Sequence, residues 1–297
     1  MFVRQRDRSL SLVWAAALVA LAVGGRVGAQ ESRLHAPEFE VDPAWPAIPN
    51  GWVLGEVTSV SVDSRDNIWV LHVPQSVPEA QRANAAPPVL EFDGAGKLLA
   101  SWGGPGGGFE WPGREHGIFV DANDFVWIAG RAGWPRPTAP GNSDDMILKF
   151  TPAGEFVMQI GRRGQSTGNL DTANVHQATD VFVDTMANEI YAADGYGNKR
   201  VIVFDSETGE FKRMWGAFGN PPPATFAPNA AAPQAQTTPD GPPEFGLPHA
   251  IKVSRAGVVY VADRINNRLQ LFTRDGRVLK QARVTNDRST CMPVPGG

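Results

Sequence analysis

Cysteine is nearly missing from this chain: Cys291 stands alone among 297 residues. No internal disulfide is available, so stability has to come from packing, with metal binding as a further device. A basic excess is missing as well. The formal net charge is −4, and without residues 1–29, which hold four Arg and one Asp, 23 basic residues face 30 acidic ones. An acidic surface without a basic stripe argues against nucleic acid as a partner and against an anionic membrane surface. After residue 29 no run approaches ~18 consecutive apolar residues, so the mature chain is expected to have no membrane span. Helical periodicity is missing outside the N-terminal segment, and period-two alternation takes its place.

The start of the chain reads as an export signal. Arg4, Arg6 and Arg8 form a basic region, Leu10–Val23 an apolar core, and Val27-Gly28-Ala29 a small-residue cleavage site. Cleavage after residue 29 places Gln30 at the mature N-terminus and the protein outside the cytoplasm, periplasmic or secreted.

A β-type phrase then returns four times: Ser59–His72 (SVSVDSRDNIWVLH), Gly117–Gly130 (GIFVDANDFVWIAG), Asp180–Asp194 (DVFVDTMANEIYAAD) and Ala250–Asp263 (AIKVSRAGVVYVAD). Each copy alternates apolar and polar residues, turns at a small polar cluster, and alternates again, which is the pattern of a hairpin. Each is followed by a second phrase around an aromatic, VLEFDGAGKLLASWG in the first copy. The unit is therefore about four strands, and repetition at this period marks an all-β propeller or solenoid. The expected units are 56–103, 115–161, 177–216 and 248–283, within a propeller domain over 55–284. A Pro-rich lead-in over 30–54 carries one expected strand around Gly51–Leu54. A Pro/Ala-rich surface excursion fills 217–246, and an irregular tail fills 285–297. Trp69, Trp127, Tyr191 and Tyr260 occupy matching places and are expected to pack sheet against sheet.

The repeat also sorts the polar residues. Five residues before the Asp or Ser that closes each first strand stand Thr58, His116, Thr179 and His249. Equivalent positions in equivalent units face one axis, so His116 and His249 are candidate zinc ligands from alternate units. The turns after the second strands read DGYGNKR and DRINNR. Their Asp, Asn and Arg suit turn bracing, which leaves Tyr196 and Arg264 as additional groups near the axis. Charge beside a tyrosine favours its use as a base. His176, His35 and His72 lack a repeat partner and read as structural or solvated. Gly103–Gly108 lacks the Lys-Ser/Thr and the helix of a phosphate loop.

At EHGIFVD, TDVFVD with ADGYGNKRV, and LPHAIKV with VADRINNRL, the chain resembles the NHL-repeat six-bladed propellers. Within them it resembles the branch of peptidyl-α-hydroxyglycine α-amidating lyase (peptidylamidoglycolate lyase). The resemblance covers roughly Gly51–Lys280. It implies a zinc site containing His116 and His249, a substrate-hydroxyl role for Tyr196, and an active-site cation in Arg264. It also implies cleavage of a peptide substrate to peptide amide and glyoxylate, and brings in calcium as a second cation. The family's third zinc histidine has no counterpart here, Val73 stands where the family has arginine after the histidine ending the first blade, and the tail QARVTNDRSTCMPVPGG lacks alternation, as a premature end or shifted frame would. Four encoded blades of an ancestral six leave apolar blade faces open to self-association. The competing expectation is a non-catalytic propeller that binds a peptide, protein or polysaccharide on its loop face. A lactonase-type site ranks last, because Thr58 and Thr179 stand at the axis in place of calcium-binding carboxylates.

Overall fold

The computed structural model describes residues 40–132, 141–224 and 240–284. The expected signal peptide, His35, Cys291, the 285–297 tail, and the middles of the second insert and of the Pro/Ala-rich excursion lie outside the described residues. The chain divides into two compact units, Met1–Pro43 and Ala44–Gly297. Residues 40–43 of the first are exposed and irregular.

The second unit carries four sheets, each of four antiparallel strands in sequence order. Sheet one holds β1 (Glu56–Val62), β2 (Ile68–Val73), β3 (Val89–Phe92) and β4 (Leu98–Trp102). Sheet two holds β5 (Glu115–Val120), β6 (Val126–Gly130), β7 (Met146–Phe150) and β8 (Phe156–Gly161). Sheet three holds β9 (Asp180–Asp184), β10 (Glu189–Asp194), β11 (Arg200–Asp205) and β12 (Phe211–Trp215). Sheet four holds β13 (Pro248–Val253), β14 (Val259–Asp263), β15 (Arg268–Phe272) and β16 (Val278–Arg283). Such a sheet is a blade of the propeller architecture. Among the described residues the only helical elements are three short 3₁₀ turns, and no helix is long and apolar enough to cross a membrane.

Local chemistry sets the hairpins. Asp63 Oδ1 accepts from the amides of Arg65 and Asn67, and Asp121 Oδ1 from those of Asn123 and Phe125. These side-chain bonds reinforce the backbone pairs at each corner, where Asp63 N donates to Asn67 O and Asp121 N to Phe125 O. Asp66 and Asp124 take the left-handed conformation there, at φ 63° and 64°, which short polar side chains tolerate.

The innermost strands lie side by side, β1 against β5, β5 against β9 and β9 against β13. The core is accordingly divided among the interfaces. Trp69, Leu71 and Val89 meet Ile118, Val120 and Leu148 between sheets one and two. Trp127, Ala129 and Ile147 meet Val181, Ile190 and Phe204 between two and three. Tyr191, Val201 and Val203 meet Ile251, Val261 and Phe272 between three and four. Trp69, Trp127 and Tyr191 are fully buried, and each spends its polar atom on an acid: Asp63, Asp121 and Glu189. Tyr260 differs. The far side of sheet four is only half covered, so β14 and β15 alternate buried and partly exposed residues where β10 and β11 are almost continuously buried. At the other end, Trp45, Trp52 and Leu54 pack over Val70, Leu90 and Phe92. Val57, Val60 and Val62 of β1 stay exposed.

Two expectations are corrected. Gly51–Leu54 is no strand: Val53 makes one isolated parallel bridge with Ala85. Asn50 and Gly51 have positive φ, a backbone that bends rather than extends. The 217–246 excursion is not wholly superficial. Ala217 and Phe245 are buried, because Phe245 fills space beside Phe272 in the interface of sheets three and four.

Candidate functional site

The strand entrances of sheets one, two and four each contain a β-bulge. The register skips Thr58 between Val57 and Ser59, His116 between Glu115 and Gly117, and His249 between Pro248 and Ala250. A bulge leaves one residue without a cross-strand partner and re-aims its side chain. In sheet three Thr179 stands just before β9, with its amide on the carbonyl of Ala193.

The two histidines meet, with ring centroids 5.6 Å apart. Tyr196, on the loop after β10, reaches between them: its Oη lies 2.9 Å from His116 Nε2 and 3.0 Å from His249 Nε2. His116 Nδ1 lies 2.9 Å from the carbonyl oxygen of Thr179. A carbonyl only accepts, so Nδ1 carries the proton and Nε2 offers a lone pair to the Tyr196 hydroxyl. His249 Nε2 then donates to the phenol oxygen. The two threonines do not join this group. The Thr179 hydroxyl is shared between the carbonyls of Ala193 and Pro248, both at 2.8 Å, and Thr58 Oγ1 faces Leu71 O.

Both loops that carry predicted site residues are braced from below. Asp194 accepts from Asn198 Nδ2 and Arg200 Nε, and Asp263 from Asn266 Nδ2 and Arg268 Nε. Arg200 also donates to the carbonyls of Asn169 and Asn174, and Arg268 to those of Pro242 and Glu244. Tyr196 and Arg264 therefore project from fixed turns. Gly197 lets the first turn close, since a Cβ there would fall 2.2 Å from the ring of His176. His72 is fully buried and structural: Nδ1 accepts the amide of Gly55, and Nε2 faces the carbonyl of Pro87.

The surroundings are positively charged. Burial first, then His249, Arg131 and Arg114, pull the His116 imidazole down to about 4. Burial, then Arg264, pulls His249 down as well, with Asp180 opposing. Both rings are neutral near pH 7. Burial pushes the Tyr196 phenol up, while Arg131 and Arg264 work against that rise.

Arg131 is the site residue that sequence reasoning missed. Its guanidinium carbon sits 3.4 Å from the centre of the Tyr196 ring. The signal was present, because Arg131 follows Gly130 as Arg264 follows Asp263, at the same repeat position in alternate blades.

Two of the donors that a zinc site uses, both imidazoles, are present. His116 has the tautomer of a metal-bound histidine, Nδ1–H on a backbone carbonyl and the lone pair on Nε2, and His249 Nε2, which points at the same Tyr196 oxygen, could ligate once its proton moves to Nδ1. Among the described residues no group of three His, Cys, Asp or Glu side chains stands together. The third donor on hand is the Tyr196 oxygen.

No family model matches the chain. Among curated proteins, mouse NHL repeat-containing protein 3 is 26% identical over 247 residues, covering 82% of this chain and 59% of its own length. Peptidyl-glycine alpha-amidating monooxygenase B of Xenopus laevis is 25% identical over 259 residues, 82% of this chain and 26% of that protein. The Caenorhabditis elegans protein named "Probable peptidyl-alpha-hydroxyglycine alpha-amidating lyase pgal-1" is 28% identical over 159 residues, 53% of this chain and 36% of that protein. The chain thus spans somewhat over half of the NHL protein and about a quarter of the monooxygenase. Those likenesses fall on four consecutive blades of four antiparallel strands, and they support an NHL-type β-propeller.

Proposed function

We propose that this protein is a zinc-dependent lyase of the amidating type, cleaving the C–N bond of a peptidyl-α-hydroxyglycine to give a peptide amide and glyoxylate. One observation carries the reading: His116 and His249, from alternate blades, converge on the hydroxyl of Tyr196. His116 Nε2 and His249 Nε2 would hold the zinc, and a bound zinc supplies acidification of the substrate hydroxyl. A zinc held there, with Arg131 and Arg264, would favour loss of the phenol's own proton to solvent, and as phenolate Tyr196 Oη is the group placed to take that hydroxyl proton. Arg264 holds the substrate carboxylate in a charge-assisted pair. As the proton leaves, the oxygen electron pair closes to the aldehyde C=O of glyoxylate. The C–N bond breaks with its electrons on nitrogen, and the proton returns from Tyr196 to that nitrogen, so the amide forms with no net proton change. The relatives named for amidating enzymes support the same reaction class.

The second reading is an exported propeller that binds its partner on the loop face without turnover. The absence of a third His, Cys, Asp or Glu from the cluster among the described residues favours it. Zinc content of the purified protein, measured beside a His116→Ala/His249→Ala variant, separates the two, followed by glyoxylate release from a hydroxyglycine-capped peptide. The lyase reading expects about one zinc per chain, lost in the double variant, and glyoxylate release abolished by Tyr196→Phe. A zinc-free protein that releases no glyoxylate overturns it in favour of binding alone.

A further inference from the structure

We infer that a pocket between blades one and two binds an alkylammonium group, with Glu115 as its anionic partner and Trp52 and Trp111 in its walls. The inference is independent of the lyase reading, because none of His116, His249 and Tyr196 lines this pocket.

The pocket has a volume of about 400 Å³ and lies where four pieces of chain meet. Trp52 comes from the lead-in, Pro87 and Pro88 from the end of the first insert, Gly103 from the turn after β4, and Trp111 and Glu115 from the entrance to β5. Backbone bonds tie the rim together: Val53 N donates to the carbonyl of Asn84, and Ala86 N to that of Val53. His72 holds the two prolines, with its amide on the carbonyl of Pro88 and its Nε2 2.9 Å from that of Pro87. Gly103 closes against Trp111, since a Cβ there would fall 2.7 Å from the indole. The glycine run that is no phosphate loop therefore serves as a wall. Gly103 and Gly104, at φ 106° and 107°, give that wall a backbone freedom that other residues lack.

The acid is the member that fold stability does not explain. Glu115 is fully buried. Its Oε1 accepts from Trp111 Nε1 at 2.7 Å, while its Oε2, also buried, has no hydrogen-bond partner. The nearby arginines are spent on other acids, Arg114 on Glu56 and Arg163 on Asp144, and among the described residues no ion pair includes Glu115. A carboxylate oxygen away from water needs a donor, and a charged donor serves it best. The rest of the pocket fits such a donor. Indole rings attract cations, and the prolines offer apolar surface to a carbon chain. A primary ammonium on an alkyl stem meets every one of these demands: an N–H for Oε2, a positive charge for the carboxylate and the indoles, and methylenes for the prolines. A neutral alcohol of the same length can supply the hydrogen bond but not the charge, so the pocket discriminates between them.

The test is an NMR titration of nitrogen-labelled protein with n-butylammonium and with n-butanol, read at the tryptophan indole N–H signals, among which Trp111→Phe identifies that of Trp111. The ammonium is expected to bind at about 1 mM or tighter, and about 10-fold or more tightly than the alcohol. It should also move the Trp111 signal, because the indole shares the Glu115 carboxylate with the ligand. Glu115→Gln keeps the shape of the side chain and should bring the preference below about threefold. Equal affinity for amine and alcohol in the native protein overturns the inference. So does an undiminished preference in Glu115→Gln, or a Trp111 signal that stays fixed while the amine binds. Should Glu115→Gln fail to fold, the native preference and the Trp111 signal decide. A parallel titration with N-acetyl-lysine N-methylamide separates the sources of the group: tighter binding than n-butylammonium assigns the pocket to lysine side chains of a peptide, and weaker binding assigns it to free amines, both in keeping with the inference. Neither zinc nor glyoxylate enters the readout, so failure here leaves the lyase reading to its own test.

Discussion

Replacing Arg200 by methionine should destabilise the protein severely, and the size of the loss can be worked from its surroundings. The Arg200 side chain is fully buried, as is that of Asp194, whose Oδ2 lies 2.9 Å from Arg200 Nε. Its terminal nitrogens serve the carbonyls of Asn169 at 2.8 Å and Asn174 at 2.7 Å. Methionine keeps much of the volume and none of the donors. Asp194 retains only the amide of His176 and the Asn198 side chain, and the carbonyls lose their partner away from water. Breaking a buried pair from one side costs about 3–5 kcal/mol, which for a domain of this size lowers Tm by roughly 6–20 °C. Urea unfolding followed by tryptophan fluorescence measures it. The companion double variant Asp194→Asn/Arg200→Met should cost less than the two single losses added, by about 1–3 kcal/mol, because the buried charge has gone as well. A loss under about 1 kcal/mol for Arg200→Met, or strict additivity in the double variant, would refute the reasoning.

The acid side of the stability curve should carry a histidine signature in chelator-treated protein. His116 falls from its ordinary 6.5 to about 4 in the fold. The unfolded chain therefore binds the extra proton between those values, and stability present above 6.5 is lost as pH falls toward 4, by up to about 3 kcal/mol. Urea midpoints at pH 7, 5.5 and 4 should show a flatter decline in His116→Gln. Phe272→Ala should cost about 3–5 kcal/mol by the same unfolding assay, since the ring is fully buried between Trp215 and Phe245. Gly154→Ala should lower stability by about 1–3 kcal/mol, because φ is +83° and the new Cβ would lie 2.6 Å from the Trp102 ring. Gly94→Ala, with nothing within 4 Å, should stay within about 0.5 kcal/mol.

The β-propeller frame was readable from the sequence because each of its determinants is local and repeated. Asp63 and Asp121 set the corners through their own neighbours' amides, so the hairpins appear in any window that contains them. Trp69, Trp127 and Tyr191 were legible as packing residues by position alone. Tyr260 has the same pattern yet a different environment, because burial depends on which sheet lies next to it and that is not written in the repeat. The meeting of His116 with His249 followed from equivalent positions. Tyr196 was placed near the axis by its turn, but its bridging of the two rings was not legible, since it comes from the blade between them and reaches the group through a loop. Arg131 was hidden because WIAGR carries no motif; only its repeat position, the residue after each second strand, marks it. The packing of Phe245 was hidden by the prolines around it, which signal irregular backbone and say nothing about where one aromatic points.

The bulges at the strand entrances bear on how such a centre changes over time. A residue that the ladder skips belongs to neither alternating face, so its side chain can be exchanged without shifting an apolar neighbour. Thr58 and His116 share this standing in adjacent blades, one a small hydroxyl, one an imidazole. The propeller thus separates its heritable parts. The paired residues carry the ladder, and a substitution at a skipped position can add or remove an imidazole while that ladder is kept.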